Sequence, residues 1–244
     1  MTTLSCVNPR GTPQGGSALK KAVFIDIDHT LIRGTAINLL ISYAFKRGIV
    51  PSSLLIRAFF WYLQYKFNII KNFNHIIDKT DSLIGKVFSQ MTADELLAVF
   101  AECFDQRIKP RIYPDSSTFL NSFRKEGFAI YFVSSTLEPL AKLLRDHYGF
   151  GEVIASKLEI KNKHFTGHIE GTICYGPEKC RQIKVVAKKD GISLADSFAF
   201  SDHISDMPML EMVGHPVVIN PSKALRKLAK AKKWEIRKLR LKPR

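Results

Sequence analysis

Asp26-Ile27-Asp28-His29-Thr30 follows the apolar run Ala22-Val23-Phe24-Ile25, so two carboxylates stand two residues apart at what reads as the end of a buried strand. Like charges this close repel. A divalent cation with oxygen ligands offsets the repulsion, and Mg²⁺ takes one or two protein carboxylates while sharing the phosphate oxygens of a substrate. The chemistry anticipated is metal-assisted handling of a phosphate group. Single Asp residues after strands also serve as turn and helix-capping groups, and on the pentapeptide alone both readings stand.

Three later segments have chemically apt residues in similar places. Ser134 ends the apolar run Phe128 to Val133 and is preferred over its neighbours Ser135 and Thr136 for that reason. Lys179 lies on a helix that Pro177 opens, with Gly191 at its far end. Ser201-Asp202-His203-Ile204-Ser205-Asp206 ends the run Ser197 to Phe200. A phosphoryl group cannot approach Asp26 unless cations neutralise it, and Mg²⁺ with Lys179 would do so. His29 and His203 occupy loop positions without a metal-ligand spacing, and no transition metal is assigned.

The elements that must position these residues form a repeating pattern. Apolar runs at 22–27, 128–134, 152–155, 197–201 and 215–220 alternate with helical patterns. The expected fold class is α/β, a doubly wound, Rossmann-like parallel sheet whose ligands bind at strand carboxyl ends. Between the first two strands about a hundred residues show no strand alternation, which predicts an inserted α-helical cap. The expected divisions are a flexible extension over 1–20, a core over 21–35 and 126–221, the cap over 36–125, and a basic helix and tail over 222–244. Thr92 and Glu95 have capping-box spacing, and residues 157–168 read as a hairpin. Ser53 to Lys71 predicts a largely apolar helix with one polar stripe, either buried in the cap or touching a membrane surface through Phe59 to Tyr62.

In order and context, these four segments resemble the haloacid dehalogenase superfamily of phosphohydrolases over Ala22 to Asn220. The long insertion, with Asp206-Met207-Pro208-Met209-Leu210-Glu211 and Val213-Gly214-His215-Pro216, looks like its phosphoserine-phosphatase-like branch with a helical cap. The resemblance implies that Asp26 is a nucleophile forming an aspartyl-phosphate and that Asp28 is the general acid and base. Ser134 and Lys179 would bind the phosphate. The Asp26 carboxylate, the Asp28 main-chain carbonyl and the Asp202 carboxylate would hold Mg²⁺, with Asp206 and Thr30 supporting them. Phosphoserine phosphatases carry a Glu nine residues after the nucleophile that reads the substrate amine, and Thr35 stands there in this chain. Any small-molecule phosphate monoester therefore stays open, including an amino-alcohol phosphate, a phosphoserine-like ester or a lysophospholipid-type phosphate.

Composition fits a globular domain except in charge. The 244 residues are 45% hydrophobic and carry a formal net charge of +15, which excludes collagen-like and wholly disordered chains. Ser222 to Arg244 holds eleven Lys and Arg against one acid, Glu235. Such a segment attracts an anionic membrane surface or nucleic acid, or simply solubilises; of the two contacts the membrane, with a peripheral location, is preferred over nucleic acid, and a nucleic-acid- or anionic-membrane-binding protein that uses this basic segment and keeps a vestigial phosphatase site is the alternative function. The four scattered cysteines and the Gly- and Pro-rich first 20 residues, without an apolar leader core, predict a cytoplasmic protein.

Overall fold

The computed structural model describes residues 19–53, 56, 85, 87–89 and 91–240. Six parallel strands form one sheet: β1 (Ala22–Asp26), β2 (Ala129–Leu137), β3 (Glu152–Ser156), β6 (Phe198–Ser201), β7 (His215–Ile219) and β8 (Glu235–Arg237), in the order β3-β2-β1-β6-β7-β8. The chain moves outward from β1 to β3 and then returns to β6 on the other side of β1. The topological switch point therefore lies between β1 and β6, where open sheets place their ligand crevice.

Each strand of the sheet centre is apolar on both faces because helices cover both. Val23 and Ile25 of β1 face one core with Leu120, Phe123, Leu140 and Leu144. Ala22 and Phe24 face the other with Ile183, Met209, Leu210 and Leu225. The first group comes from α3 (Asp115–Lys125) and α4 (Glu138–Tyr148), the second from α5 (Pro177–Asp190), α6 (Met207–Glu211) and α7 (Lys223–Ala231). This is the doubly wound α/β arrangement expected, with helical segments inserted between β1 and β2.

Two stretches sit differently from the expected divisions. Residues 115–125, expected in the cap, form α3 on the sheet itself, where Phe119 meets Phe200 edge-on and Phe123 packs against Phe198 and Phe200. The basic segment, expected as a helix and tail, adds α7 and then β8 to the sheet, with Val218 opposite Ile236. Its helix buries Leu225 and Ala229, so an apolar stripe too short to stand out among lysines anchors it. The expected helix over 53–71, with its Phe59 to Tyr62 face, and the first 18 residues lie outside the described residues. Among the described residues no helix is long and apolar enough to cross a membrane.

The insertion is tied to the core on two sides. Its two linkers pair antiparallel: the Tyr113 N–H donates to the Leu31 carbonyl at 3.0 Å and the Arg33 N–H to the Arg111 carbonyl at 2.8 Å. On the other side α2 (Ala93–Cys103), begun by the expected Thr92 and Glu95 capping box, meets the expected hairpin of β4 (Leu158–Lys161) and β5 (His164–Ile169). The Ala93 N–H donates to the Lys163 carbonyl at 2.8 Å, and Gly85 lies against the Gly167 backbone so closely that a Cβ on Gly85 would stand 2.1 Å from the Gly167 oxygen. Only glycine allows that approach.

Candidate active site

Asp26 is the last residue of β1, and β6 ends one position before Asp202, so the two carboxylates leave adjacent strands at the switch point. Thr30, fully buried, sits between them: its hydroxyl lies 3.3 Å from Asp26 Oδ2 and 3.5 Å from Asp202 Oδ1. One hydroxyl has one proton and cannot serve both carboxylates. Lys179, on the first turn of α5, reaches across to donate from Nζ to Asp26 Oδ1 at 2.6 Å and to Asp206 Oδ2 at 2.9 Å. Lys179 itself is only 2% exposed.

Five residues converge here from segments as far apart as 26 and 206. Pro177 starts α5 at the right place, since a proline lacks the N–H that the first helical turn leaves unused anyway. Asp206 is fixed in turn by the Ser201 hydroxyl, which donates to Oδ2 at 2.8 Å. Ser201 ends β6 and was quoted in the sequence without a role; its place two residues before an exposed loop histidine was the available signal, because the His203 N–H donates back to Ser201 Oγ at 3.2 Å.

Asp28 takes the capping part. Its Oδ1 accepts the Ala36 N–H at 2.8 Å and so caps α1 (Ala36–Lys46), whose formal N-cap residue, Thr35, makes no side-chain capping bond. Its second oxygen keeps its capacity. The tight turn after it is set by His29, which holds a left-handed φ of 58°, and by the His29 N–H bonding to the Gly34 carbonyl at 3.1 Å. His29 and His203 are both exposed.

Ser134 is placed by register: Val133 of β2 lies opposite Asp26 of β1, so Ser134 is the next residue beyond it. It is buried, and its Oγ accepts the Thr136 N–H at 3.1 Å. With that lone pair used, the hydroxyl proton remains to be donated. No hydrogen bond joins Ser134 to the Lys179 cluster among the described residues. Of the sequence-assigned residues, Asp26, Thr30, Lys179, Asp202 and Asp206 form one connected network, while Asp28 and Ser134 flank it through the backbone.

The electrostatics of this cluster are unbalanced. Burial pushes Asp26 well above the ordinary carboxylate range, against the pull of Lys179. It lifts Asp28 to about 6 despite the Ala36 N–H, and Asp202 to about 7 with the help of the neighbouring Asp206 charge. Burial also works against the Lys179 ammonium, but Asp26 and Asp206 outweigh it and hold the group protonated. Four carboxylates therefore face one ammonium. Among the described residues no three His, Cys, Asp or Glu side chains form a ready-made metal cage. Two carboxylates with a main-chain carbonyl, completed by water and phosphate oxygens, are nevertheless the donor set that magnesium accepts, and the deficit of positive charge fits a divalent ion.

A cavity of about 650 Å³ lies elsewhere, lined by His215, Lys232, Trp234 and their neighbours at the starts of β7 and β8. It contains none of the acidic cluster.

A model of the haloacid dehalogenase-like hydrolases matches residues 23–211. The chain belongs to that family. It is 28% identical over 228 residues to the phosphoserine phosphatase SerB1 of Mycobacterium tuberculosis, covering 91% of this chain and 72% of that protein. It is 24% identical over 223 residues to the histidinol-phosphatase of Neisseria meningitidis, covering 89% and 98%. A solved structure of a protein of unknown function from Bordetella pertussis Tohama I superposes with a TM-score of 0.79 at 22% identity, over 90% of this chain and 98% of that one. At that identity the superposition speaks for the fold.

Proposed function

We propose that this hydrolase is a Mg²⁺-dependent phosphatase that cleaves small phosphate monoesters through an aspartyl-phosphate on Asp26. The observation that carries the reading is the buried Lys179 ammonium bonded at once to Asp26 and Asp206, with Asp202 on the other side of Thr30. A cation held over a strand-end carboxylate has no structural need to be there, since replacing a buried ion pair with apolar side chains is often neutral or stabilising.

Each step falls to a named group. The Asp26 carboxylate attacks phosphorus in line, and the departing alkoxide takes a proton from Asp28. Asp28 then accepts a proton from the water that attacks the Asp26 phosphate, releasing inorganic phosphate and restoring the carboxylate. An Asp28 carboxyl lifted to about 6 carries that proton cheaply near neutral pH. The Ala36 N–H holds one Asp28 oxygen, leaving the other for the transfer. Lys179 and the Ser134 hydroxyl neutralise and orient the phosphate oxygens, while Asp206 and Ser201 hold Lys179 in place. A magnesium ion held by Asp26, Asp202 and the Asp28 carbonyl would add two positive charges to the same oxygens.

The relatives named phosphoserine phosphatase and histidinol-phosphatase support a small phosphorylated metabolite as substrate, a phosphoserine-like ester or an amino-alcohol phosphate; a lysophospholipid-type phosphate rests on the sequence reading alone. Cys103, Cys174 and Cys180 are free thiols, which supports a reducing, cytoplasmic setting. The test is phosphate release from a panel of monoesters with Mg²⁺ or with EDTA, for the wild type and Asp26→Asn. Release that requires metal and disappears in the variant is expected. Release that is indifferent to EDTA, or that survives Asp26→Asn at full rate, overturns the reading.

A further inference from the structure

We propose that Ser156 is a positioning residue for phosphate cleavage, its buried hydroxyl tying the bulge that presents Ser134 to the chain that leads into Lys179. This role rests on the phosphatase reading above and deepens it.

The need for such a tie follows from the register of β2 on β3. Val133 pairs with Ile154 and Leu137 with Ser156, so Ser134, Ser135 and Thr136 stand against the single residue Ala155. Extra residues on one strand disrupt the ladder, bend the chain and re-aim side chains. This bulge starts one position beyond the partner of Asp26, and Ser134 is its first residue. Backbone groups that a bulge leaves short of ladder partners need others when their surroundings are buried, as Ser134 and Thr136 are on either side of Ser135. Ser156, 2% exposed, supplies one: its Oγ donates to the Ser135 carbonyl at 2.9 Å.

The same oxygen accepts the Cys174 N–H at 3.1 Å, so its one proton and a lone pair both go to backbone. Cys174 is fully buried and lies three residues before Pro177, which opens α5, and five before Lys179. Between Ser156 and Cys174 the chain leaves the sheet as the β4 and β5 hairpin, which meets the insertion through the Ala93 bond and through the Phe165 N–H, donating to the Met91 carbonyl at 3.4 Å. One hydroxyl therefore closes this excursion where it departs and returns. On one side it holds the Ser134 bulge, on the other the root of the Lys179 helix. A hydroxyl of the same kind stands at the amino end of the sheet: fully buried Ser197 donates to the Ser193 carbonyl and accepts the Ala22 N–H at 3.0 Å, and neither partner borders a site residue. Both serines bridge two backbone segments. Only at the carboxyl end do those segments carry phosphate-binding groups, whose displacement by an ångström costs rate.

The experiment compares Ser156→Ala and Ser156→Cys with Ser197→Ala. It measures thermal unfolding, steady-state kinetics with Mg²⁺ on the best monoester of the panel, and calorimetric binding of orthovanadate, a phosphate-like oxyanion whose binding needs no turnover. Ser156→Cys nearly keeps the volume with a much weaker donor, so it reports even if the alanine variant does not fold. All three variants are expected to melt below the wild type. Only the Ser156 variants should lose kcat/KM, by about tenfold or more for alanine and less for cysteine, with kcat falling and vanadate binding weakened in step. Ser197→Ala should keep wild-type kinetics and vanadate binding. Added to Ser134→Ala, Ser156→Ala should cost less than it does alone, because part of its effect passes through that serine. Folded Ser156 variants with wild-type kcat/KM and vanadate binding, losses matched by Ser197→Ala, or a fully multiplicative double variant overturn the positioning role and leave the phosphatase reading intact. If the wild type turns over no ester, the phosphatase reading fails, and vanadate binding across the variants still decides whether Ser156 holds the oxyanion cradle. A wild type that binds no vanadate overturns both.

Discussion

The two ends of the central sheet are built from the same strands and could hardly differ more. At the amino end, the Ala22 N–H is satisfied by the Ser197 hydroxyl, His215 stacks on Phe198, and the Lys232–Glu211 ion pair lies at the solvent-exposed surface. At the carboxyl end, Asp26, Thr30, Ser134, Lys179, Asp202 and Asp206 are all buried, and all but Lys179 lie within a few residues of a strand's end. The first end follows the rules of stability. The second concentrates charge where dehydration makes it expensive, and that is the mark of a site kept for chemistry.

The largest separation of the two ends should come from Asp26→Asn. It is expected to lower phosphatase turnover by at least ~10³-fold, as for removal of a covalent nucleophile, while thermal unfolding shows equal or greater stability because a buried like charge has gone. A variant that keeps its activity breaks the contrast. Lys179→Ala should do the opposite to folding: with Asp26 and Asp206 left buried and uncompensated, urea titration should show a loss of about 3 to 5 kcal/mol.

A smaller effect concerns pH. Asp28 and Asp202 have folded-state values of about 6 and about 7 against an ordinary 3.8, so the folded chain favours their protonated forms. Stability from these groups is fully present below about 4 and is lost as pH rises towards about 7, because the unfolded chain releases those protons first. In EDTA the melting temperature should therefore carry a downward contribution over that window that Asp202→Asn reduces. Added Mg²⁺ should raise the melting temperature most at the upper end of the window, where the carboxylates are ionised. At the amino end, Lys232→Ala should change stability by no more than about 1 kcal/mol and leave turnover unaltered, since exposed pairs contribute little.

The contrast also explains what could be read from the sequence. β1, β2, β6 and β7 announce themselves as apolar runs because both of their faces are covered, and Asp26, Lys179 and Asp202 stand out as charges at the ends of such runs or at a proline-started helix. β8 is a three-residue edge strand, Glu235–Arg237, with one apolar side chain, and alternation cannot show in so short a piece. α3 looked like cap because its place in the chain precedes β2; its allegiance is decided by Phe119 and Phe123 finding Phe198 and Phe200, a long-range packing choice. The bridge between Ile32 and Ile112 that pairs the two linkers is likewise invisible in sequence, since 80 positions separate them.

The most direct measurement is a crystal structure of the protein grown with Mg²⁺ and beryllofluoride, a phosphoryl mimic that bonds to carboxylate oxygen. The account predicts beryllium on an Asp26 oxygen, fluorine atoms facing Lys179 and the Ser134 hydroxyl, and one magnesium ion touching Asp26, Asp202 and the Asp28 carbonyl. Beryllofluoride on another residue, or metal bound away from Asp202, would contradict it.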